Sequence, residues 1–502
     1  MDASQLNTAL YSLLVLCILW FLTRKLYLNG KKNLPPSPPK LPIIGNLHQL
    51  GHLPHRSLWK LSRKYGPLML LHLGNKPTLV VSSAEVAKEI FKNHDISFAG
   101  KPVLSVPKRI FCDLKDVINL PYGDQWRKLR SIFVNQLLNS KRVKSFNSIM
   151  DEETSLLMER IQKLSLLEVQ VNLTEMFASL TNDTICRSAF GKKYSETKHG
   201  RSFLEKMSET VGLLFNFTIG EFVPWLAWIN WVNGFDAKVD RCAREKDEIL
   251  DAVIQEHFDA VGEAANDGSR ETFVDILAGI YKGDTPGISI DKESVRAVIL
   301  DVFGAGTETS ATTLGWVMTE LIRNPEAMKK LQAEVRDIMN GKQHITDNDL
   351  EKMHYLKAVI KENFRCHPPV AIYLHESRED VNLMGYDIPS GTMVLFNAWG
   401  LGRDPVWWDE PKKFMPERFI NSSTDFRGFN YQFIPFGAGR RICPGISFAT
   451  ASIEHVLANL MHKFNWALPN GAKGEDLDVI EQPGLTIGRK NPLIVVATKC
   501  YF

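Results

Sequence analysis

A chain of 502 residues, 44% hydrophobic and 23% charged, has ordinary globular composition and enough apolar material for a large core. A formal net charge of +3 gives no support for nucleic acid as the main partner. The seven cysteines, at 17, 112, 186, 242, 366, 443 and 500, are scattered and include no C-x-x-C pair. That argues against a disulfide framework or a zinc or iron–sulfur site, and for a reducing compartment.

Residues 6–22 are apolar apart from a few small polar side chains, and as a helix would rise roughly 25 Å, close to the bilayer hydrocarbon thickness. Arg24, Lys25, Lys31 and Lys32 follow, so the positive-inside rule leaves the bulk of the chain cytosolic. Residues 1–30 are expected to form a transmembrane anchor; a cleaved signal peptide would carry its positive flank on the other side. Residues 31–45 hold prolines at 35, 36, 38, 39 and 42 and read as a stiff hinge. Residues 46–502 contain no further linker and form one catalytic unit. The sequons at Asn172, Asn182, Asn216 and Asn421 should then stay unmodified.

The body reads as mainly α with a smaller β portion. Apolar runs flank Gly74-Asn75-Lys76 as in a hairpin, and residues 385–396 and 484–498 supply further strand-and-turn signals. The longest helical pattern runs from about residue 291 to 323, stopping before Asn324-Pro325. Inside it, AGTETS (305–310) places a glycine and three hydroxyl residues, poor choices for a helix interior, whose side chains can bond carbonyls a turn earlier. The tryptophan-rich stretch 220–231 reads first as core packing and second as contact with a membrane interface.

Glu362 and Arg365 in ENFR share a helix face and can pair. PFGAGRRICPG (435–445) seats Cys443 just ahead of a helical pattern. Unpaired N–H groups at that helix start, with Arg440 and Arg441, favour a thiolate. The loop fits F-x-x-G-x-R-x-C-x-G at Phe436, Gly439, Arg441, Cys443 and Gly445. A chance match is on the order of one in ten thousand.

From about residue 35 onward the chain resembles the cytochrome P-450 haem-thiolate family, in particular its plant microsomal branch. The resemblance implies that fold, haem b as cofactor, and Cys443 as axial thiolate to the iron, a ligand that favours O–O cleavage. It implies a buried cluster of Glu362, Arg365 and Arg418, the last from PERF (416–419). Thr309 would position dioxygen and its protons over a distorted helix, with Glu308 relaying protons from solvent. Presence of Thr309 argues against relatives that rearrange peroxides. Trp126 and Arg130 of WRKLR, and Arg441, would reach the haem propionates. His375 falls where the family usually carries another propionate-binding arginine, so it either gives a weaker hydrogen bond or the contact is lost.

By the same resemblance the pocket includes Ala305, Val370, Ala371 and Leu485 with contributions from residues 98–122, which suits a compact lipophilic substrate. No G-x-G-x-x-G for a nicotinamide or flavin is present, so electrons must come from a separate protein, which for a membrane-anchored member the resemblance implies is an NADPH-dependent flavoprotein reductase. Lys128, Lys141, Arg142, Lys144 and Arg440 would steer it. The implied activity is monooxygenation at the endoplasmic reticulum membrane. The alternatives are a haem-dependent isomerase or dehydratase on the same scaffold, and a non-catalytic haem sensor or carrier.

Overall fold

The computed structural model describes Ser12 and residues 33–500, apart from 197, 215–217, 261–270 and 284–288. The expected anchor falls outside the described residues, apart from Ser12, as does Asn216. Among the described residues no helix is long and apolar enough to cross a membrane.

The hairpin forms where the sequence places it. Strand β1 (Leu68–Leu73) turns at Gly74, φ 59°, into β2 (Lys76–Val81), pairing Leu70 with Leu79. Two later strands complete this sheet: β3 (Ile372–Glu376), antiparallel to β4 (Met393–Asn397), which runs parallel to β2. Residues 385–396 serve two sheets, because Gly391 at φ 75° breaks the run. Tyr386–Ile388 pairs with Val381–Leu383, and only the second half joins β4. The proline-rich segment is docked on the body: the Pro36 carbonyl accepts the Leu70 amide at 2.9 Å, and the Asn46 side chain bonds the Pro38 and Pro39 carbonyls.

Four helices position the candidate site: α1 (Asp124–Ile132), α2 (Lys292–Arg323), α3 (His354–Cys366) and α4 (Ile446–Lys463). Helix α2 has 32 residues, about 48 Å at 1.5 Å per residue, and threads the whole core. The Asp291 side chain caps its start by accepting the Ser294 amide at 2.8 Å. Its first half buries Val295, Val298, Ile299 and Phe303 in one apolar cluster, and its second half buries Leu314, Val317 and Leu321 in another. The 305–310 stretch lies at the junction. Here the expected bonds back to carbonyls a turn earlier form, without the expected distortion. The helix is unbroken, and Thr307, Thr309 and Thr313 each donate to the carbonyl four residues earlier. Gly306 answers a packing demand instead, since a Cβ there would meet Ile185 Cδ1 at 2.6 Å.

Candidate haem site

The cysteine loop is built from left-handed turns and one close approach. Gly437 and Gly439 have φ 74° and 65°, and a Cβ on Gly439 would meet Asp95 Oδ1 at 2.3 Å. The loop closes when the Cys443 amide donates to the Phe436 carbonyl at 2.9 Å. Phe436 in turn packs edge-on against Phe364 of α3, centroids 4.9 Å apart, which ties the loop to the next structural cluster. The Gly445 N–H, just before α4, donates to Cys443 Sγ at 3.3 Å.

Burial pushes the Cys443 thiol up, while the Gly445 N–H and the Arg130 guanidinium pull it back down. The two arginines expected to favour the thiolate point elsewhere. Arg440 pairs with Asp95, Nε to Oδ2 3.1 Å. Arg441 donates to the Ala99 and Leu120 carbonyls at 2.6 and 2.7 Å, and lies 4.8 Å over the Trp126 ring. The cation facing the sulfur is Arg130, one helical turn after Trp126 on α1.

Trp126 is a platform rather than a donor toward the site, since its indole N–H already serves the Val117 carbonyl at 3.0 Å. His375, on β3, is buried between Phe91 and Phe396 with Nδ1 2.9 Å from the Phe98 carbonyl. A carbonyl only accepts, so Nδ1 carries the proton. Burial, with Lys101 and Arg441 nearby, holds the ring well below the usual histidine range. Neutral with Nδ1 protonated, it has an unprotonated Nε2 and nothing to donate to a carboxylate. In that form His375 has no N–H left to offer toward the site.

Lys101 was not singled out from sequence, yet it stands beside His375 and Arg441. Its ammonium donates to the Leu374 carbonyl, and burial lowers it to about 7. Arg130 faces Cys443, Arg441 stands beside Arg130 and Lys101 beside Arg441, and no carboxylate is hydrogen-bonded to any of the three among the described residues. A single sulfur ligand with three neighbouring cations, only Asp116 acting against two of them, suits a dianionic metalloporphyrin.

Behind the loop, the expected charge cluster is assembled. Arg365 grips Glu362 through Nε and Nη2, both at 2.7 Å, and Arg418 Nε reaches Glu362 Oε1 at 3.1 Å. Further Arg365 donors meet the Gly402, Pro411 and Lys413 carbonyls. On the opposite side, Ala305 and Thr309 of α2 are accessible, as are Val370 and Leu485. Ala371 is not: at 2% exposure it packs with Trp399 and Ile487, so it does not line the pocket. Glu308 is open to solvent on the cavity side, yet desolvation by the surrounding protein still pushes its carboxyl up, and the neighbouring Thr486 hydroxyl, from the loop after Leu485, draws it back.

The cytochrome P450 family model matches residues 35–496. This chain is a cytochrome P450. It is 47% identical to norfluorocurarine oxidase of Strychnos sp, over 98% of this chain and 99% of the relative. It is 48% identical to tabersonine/lochnericine 19-hydroxylase of Catharanthus roseus (93% of each), and 49% identical to cytochrome P450 71A8 of Mentha piperita (99% and 97%). A zebra fish cytochrome P450 in a structure with abiraterone superposes with TM-score 0.74 at 25% identity, covering 89% of this chain and all of the other. The P450 is an oxidoreductase whose cofactor is haem held through a cysteine thiolate.

Two surfaces complete the description. The tryptophan-rich stretch is divided: Phe222 and Val223 pack in the core, whereas Trp225, Trp228 and Trp231 are exposed, Trp231 by 76%. The Phe222 carbonyl accepts the Asn75 amide, and the Gly74 amide donates to Ile44, which brings the stretch beside exposed Leu41 and Ile43. Of the five cations expected to steer a reductase, Lys128, Lys141 and Lys144 are exposed. Arg142 and Arg440 are spent on Glu271 and Asp95.

Proposed function

We propose that this P450 is a membrane-bound monooxygenase that inserts one atom of O₂ into a small lipophilic metabolite of plant specialised metabolism, using electrons from an NADPH-dependent flavoprotein reductase. The carrying observation is the part-buried sulfur of Cys443, which accepts the Gly445 N–H and faces Arg130. Cys443 would hold the haem iron through its thiolate, and Arg130, Arg441 and Lys101 would hold the propionates. Haem supplies the oxygen activation, and the chain supplies orientation, dryness and protons. Thr309, whose hydroxyl now donates to the Ala305 carbonyl at 2.6 Å, turns to order the proton path. Glu308, raised by partial desolvation at the cavity wall, gives up its proton less readily than an ordinary glutamate. Relatives named norfluorocurarine oxidase and tabersonine/lochnericine 19-hydroxylase support the substrate class.

The apolar face of Trp225, Trp228, Trp231, Leu41 and Ile43 adjoins the proline-rich segment. It suits contact with the endoplasmic reticulum membrane from its cytosolic side, below the expected 1–30 anchor. A carbon monoxide difference spectrum of the reduced protein tests the ligand: a thiolate-type Soret band is expected, and Cys443→Ser should abolish it. Product formation that needs both O₂ and NADPH is expected with reductase present. Product without either would instead mean an isomerase or dehydratase, and haem binding without any turnover a sensor or carrier.

A further inference from the structure

One turn of α3 sends its side chains to three different neighbours. Glu362 and Arg365 belong to the charge cluster, and Phe364 packs on Phe436 of the cysteine loop. Asn363 faces α2, where its amide N–H donates to the Thr313 carbonyl at 3.3 Å. Thr313 is buried, at 1% exposure, and its hydroxyl donates to the Thr309 carbonyl at 2.8 Å. The Thr309 hydroxyl in turn donates to the carbonyl of Ala305, which is accessible at the pocket. Three hydrogen bonds thus lead from the buried centre of α3 to the residue read as ordering the proton path.

Stability does not account for Asn363. The side chain is at 0% exposure and makes that one long hydrogen bond, while its Oδ1 is buried with no donor among the described residues. A neutral hydrogen bond adds little net stability, and an unsatisfied buried acceptor costs more than one such bond contributes. Turning the amide over gives no relief, because Oδ1 would then oppose the Thr313 carbonyl oxygen. A leucine has the same branched outline and no polar group to leave unserved.

We infer that Asn363 is a positioning residue for Thr309. It holds the α2 turn at Thr313, and Thr313 holds the Thr309 backbone, so the Thr309 hydroxyl can leave the Ala305 carbonyl without loosening the helix. The helix needs that hold: Gly306, Thr307, Thr309 and Ser310 are poor helix formers, and threonine hydroxyls that bond back to a carbonyl four residues earlier tend to bend the helix they sit in. Among the described residues, the Asn363 contact is the one hydrogen bond that another element makes to the α2 backbone between Ala305 and Thr319.

The inference rests on the reading that Thr309 serves proton delivery, so Thr309→Ala is measured beside it, all variants as the full haem-loaded chain. In Asn363→Leu, amide exchange of peptides spanning 305–315 should rise severalfold, while pigment yield and thermal midpoint hold at the natural level or above. With an NADPH-dependent flavoprotein reductase present, peroxide released per NADPH consumed should rise by about threefold. Thr313→Val breaks the middle link alone and should raise peroxide by a similar factor. Combining it with Asn363→Leu should add nothing further, and neither should Asn363→Leu placed on Thr309→Ala. Natural exchange and natural peroxide in Asn363→Leu would overturn the inference. A poor yield or lowered midpoint in that variant would overturn it too, since Asn363 would then be a packing residue. If Thr309→Ala leaves peroxide unchanged, the proton-delivery reading fails on its own, and exchange across 305–315 decides whether Asn363 positions the turn.

Discussion

The Glu362 carboxylate lies edge-to-edge with the Arg365 guanidinium, two N–H···O bonds at 2.7 Å, with both side chains sealed from solvent. Glu362 Oε1 also accepts the Met415 amide at 2.7 Å, so one carboxylate joins α3 to the chain leading into PERF. Glu362→Ala would leave Arg365 buried and unpaired, at a cost of about 3–5 kcal/mol. The expected outcome is little folded, haem-loaded protein rather than a slow enzyme. Arg365→Lys should rescue poorly, because one ammonium cannot also serve the Gly402, Pro411 and Lys413 carbonyls. Pigment yield and thermal midpoint check both; a full-yield Glu362→Ala protein would remove the cluster from the account of stability.

Thr309 is accessible within an intact helical turn, so its methyl and backbone carry no packing burden that alanine would break. Thr309→Ala should keep the carbon monoxide spectrum and NADPH consumption while product per NADPH falls by about tenfold and peroxide rises. Unchanged coupling would take Thr309 out of proton delivery.

Much of this was legible because the decisive residues lie close together in the chain. Glu362 and Arg365 are three apart, and Phe436 to Gly445 fold into one loop, so spacing alone brings each set together. The 291–323 helix was likewise read from its period and its proline stop. What stayed hidden depends on long-range approach. Lys101 meets the Leu374 carbonyl across 273 positions, and Asp301 meets Val117 across 184, with no local pattern to announce either. The tryptophans misled for another reason: residue type gives apolar area, but only the fold decides whether that area faces core or surface.

His375 and Lys101 separate cleanly in a haem-retention experiment. His375 has no proton to offer a propionate, whereas Lys101 is a donor beside Arg441. Lys101→Ala should lose haem severalfold faster to apomyoglobin. His375→Gln, which can keep the hydrogen bond to the Phe98 carbonyl, should retain haem nearly as the natural protein does. The reverse ranking would restore His375 to the propionate set.

Lys128, Lys141 and Lys144 carry the unspent positive charge of the expected reductase-docking face. Replacing all three with glutamate should slow reductase-supported turnover by about tenfold or more at low salt, with little change in substrate binding. Rising ionic strength should shrink the difference as screening sets in. An equal effect on substrate affinity would point to a damaged pocket instead of a docking defect.

Glu481 gives a stability signature in acid. Burial alone would push this carboxyl up, but hydrogen bonds from His55 Nε2 at 2.9 Å and Arg56 Nε at 2.8 Å overcome it and hold it at about 2. A folded-state value below the ordinary 4.5 means the unfolded chain binds the proton first. The contribution is thus complete above about pH 4.5 and is lost as pH falls toward 2. A shift of this size corresponds to about 3 kcal/mol at most. Glu481→Gln should therefore lower the thermal midpoint by about 3 °C at pH 7. The natural-minus-variant difference should shrink toward zero between pH 4.5 and 2, the window in which other carboxylates cancel in the subtraction. A difference that stays constant across that window would mean that Glu481 stabilises by packing, and that its ion pairs with His55 and Arg56 contribute nothing net.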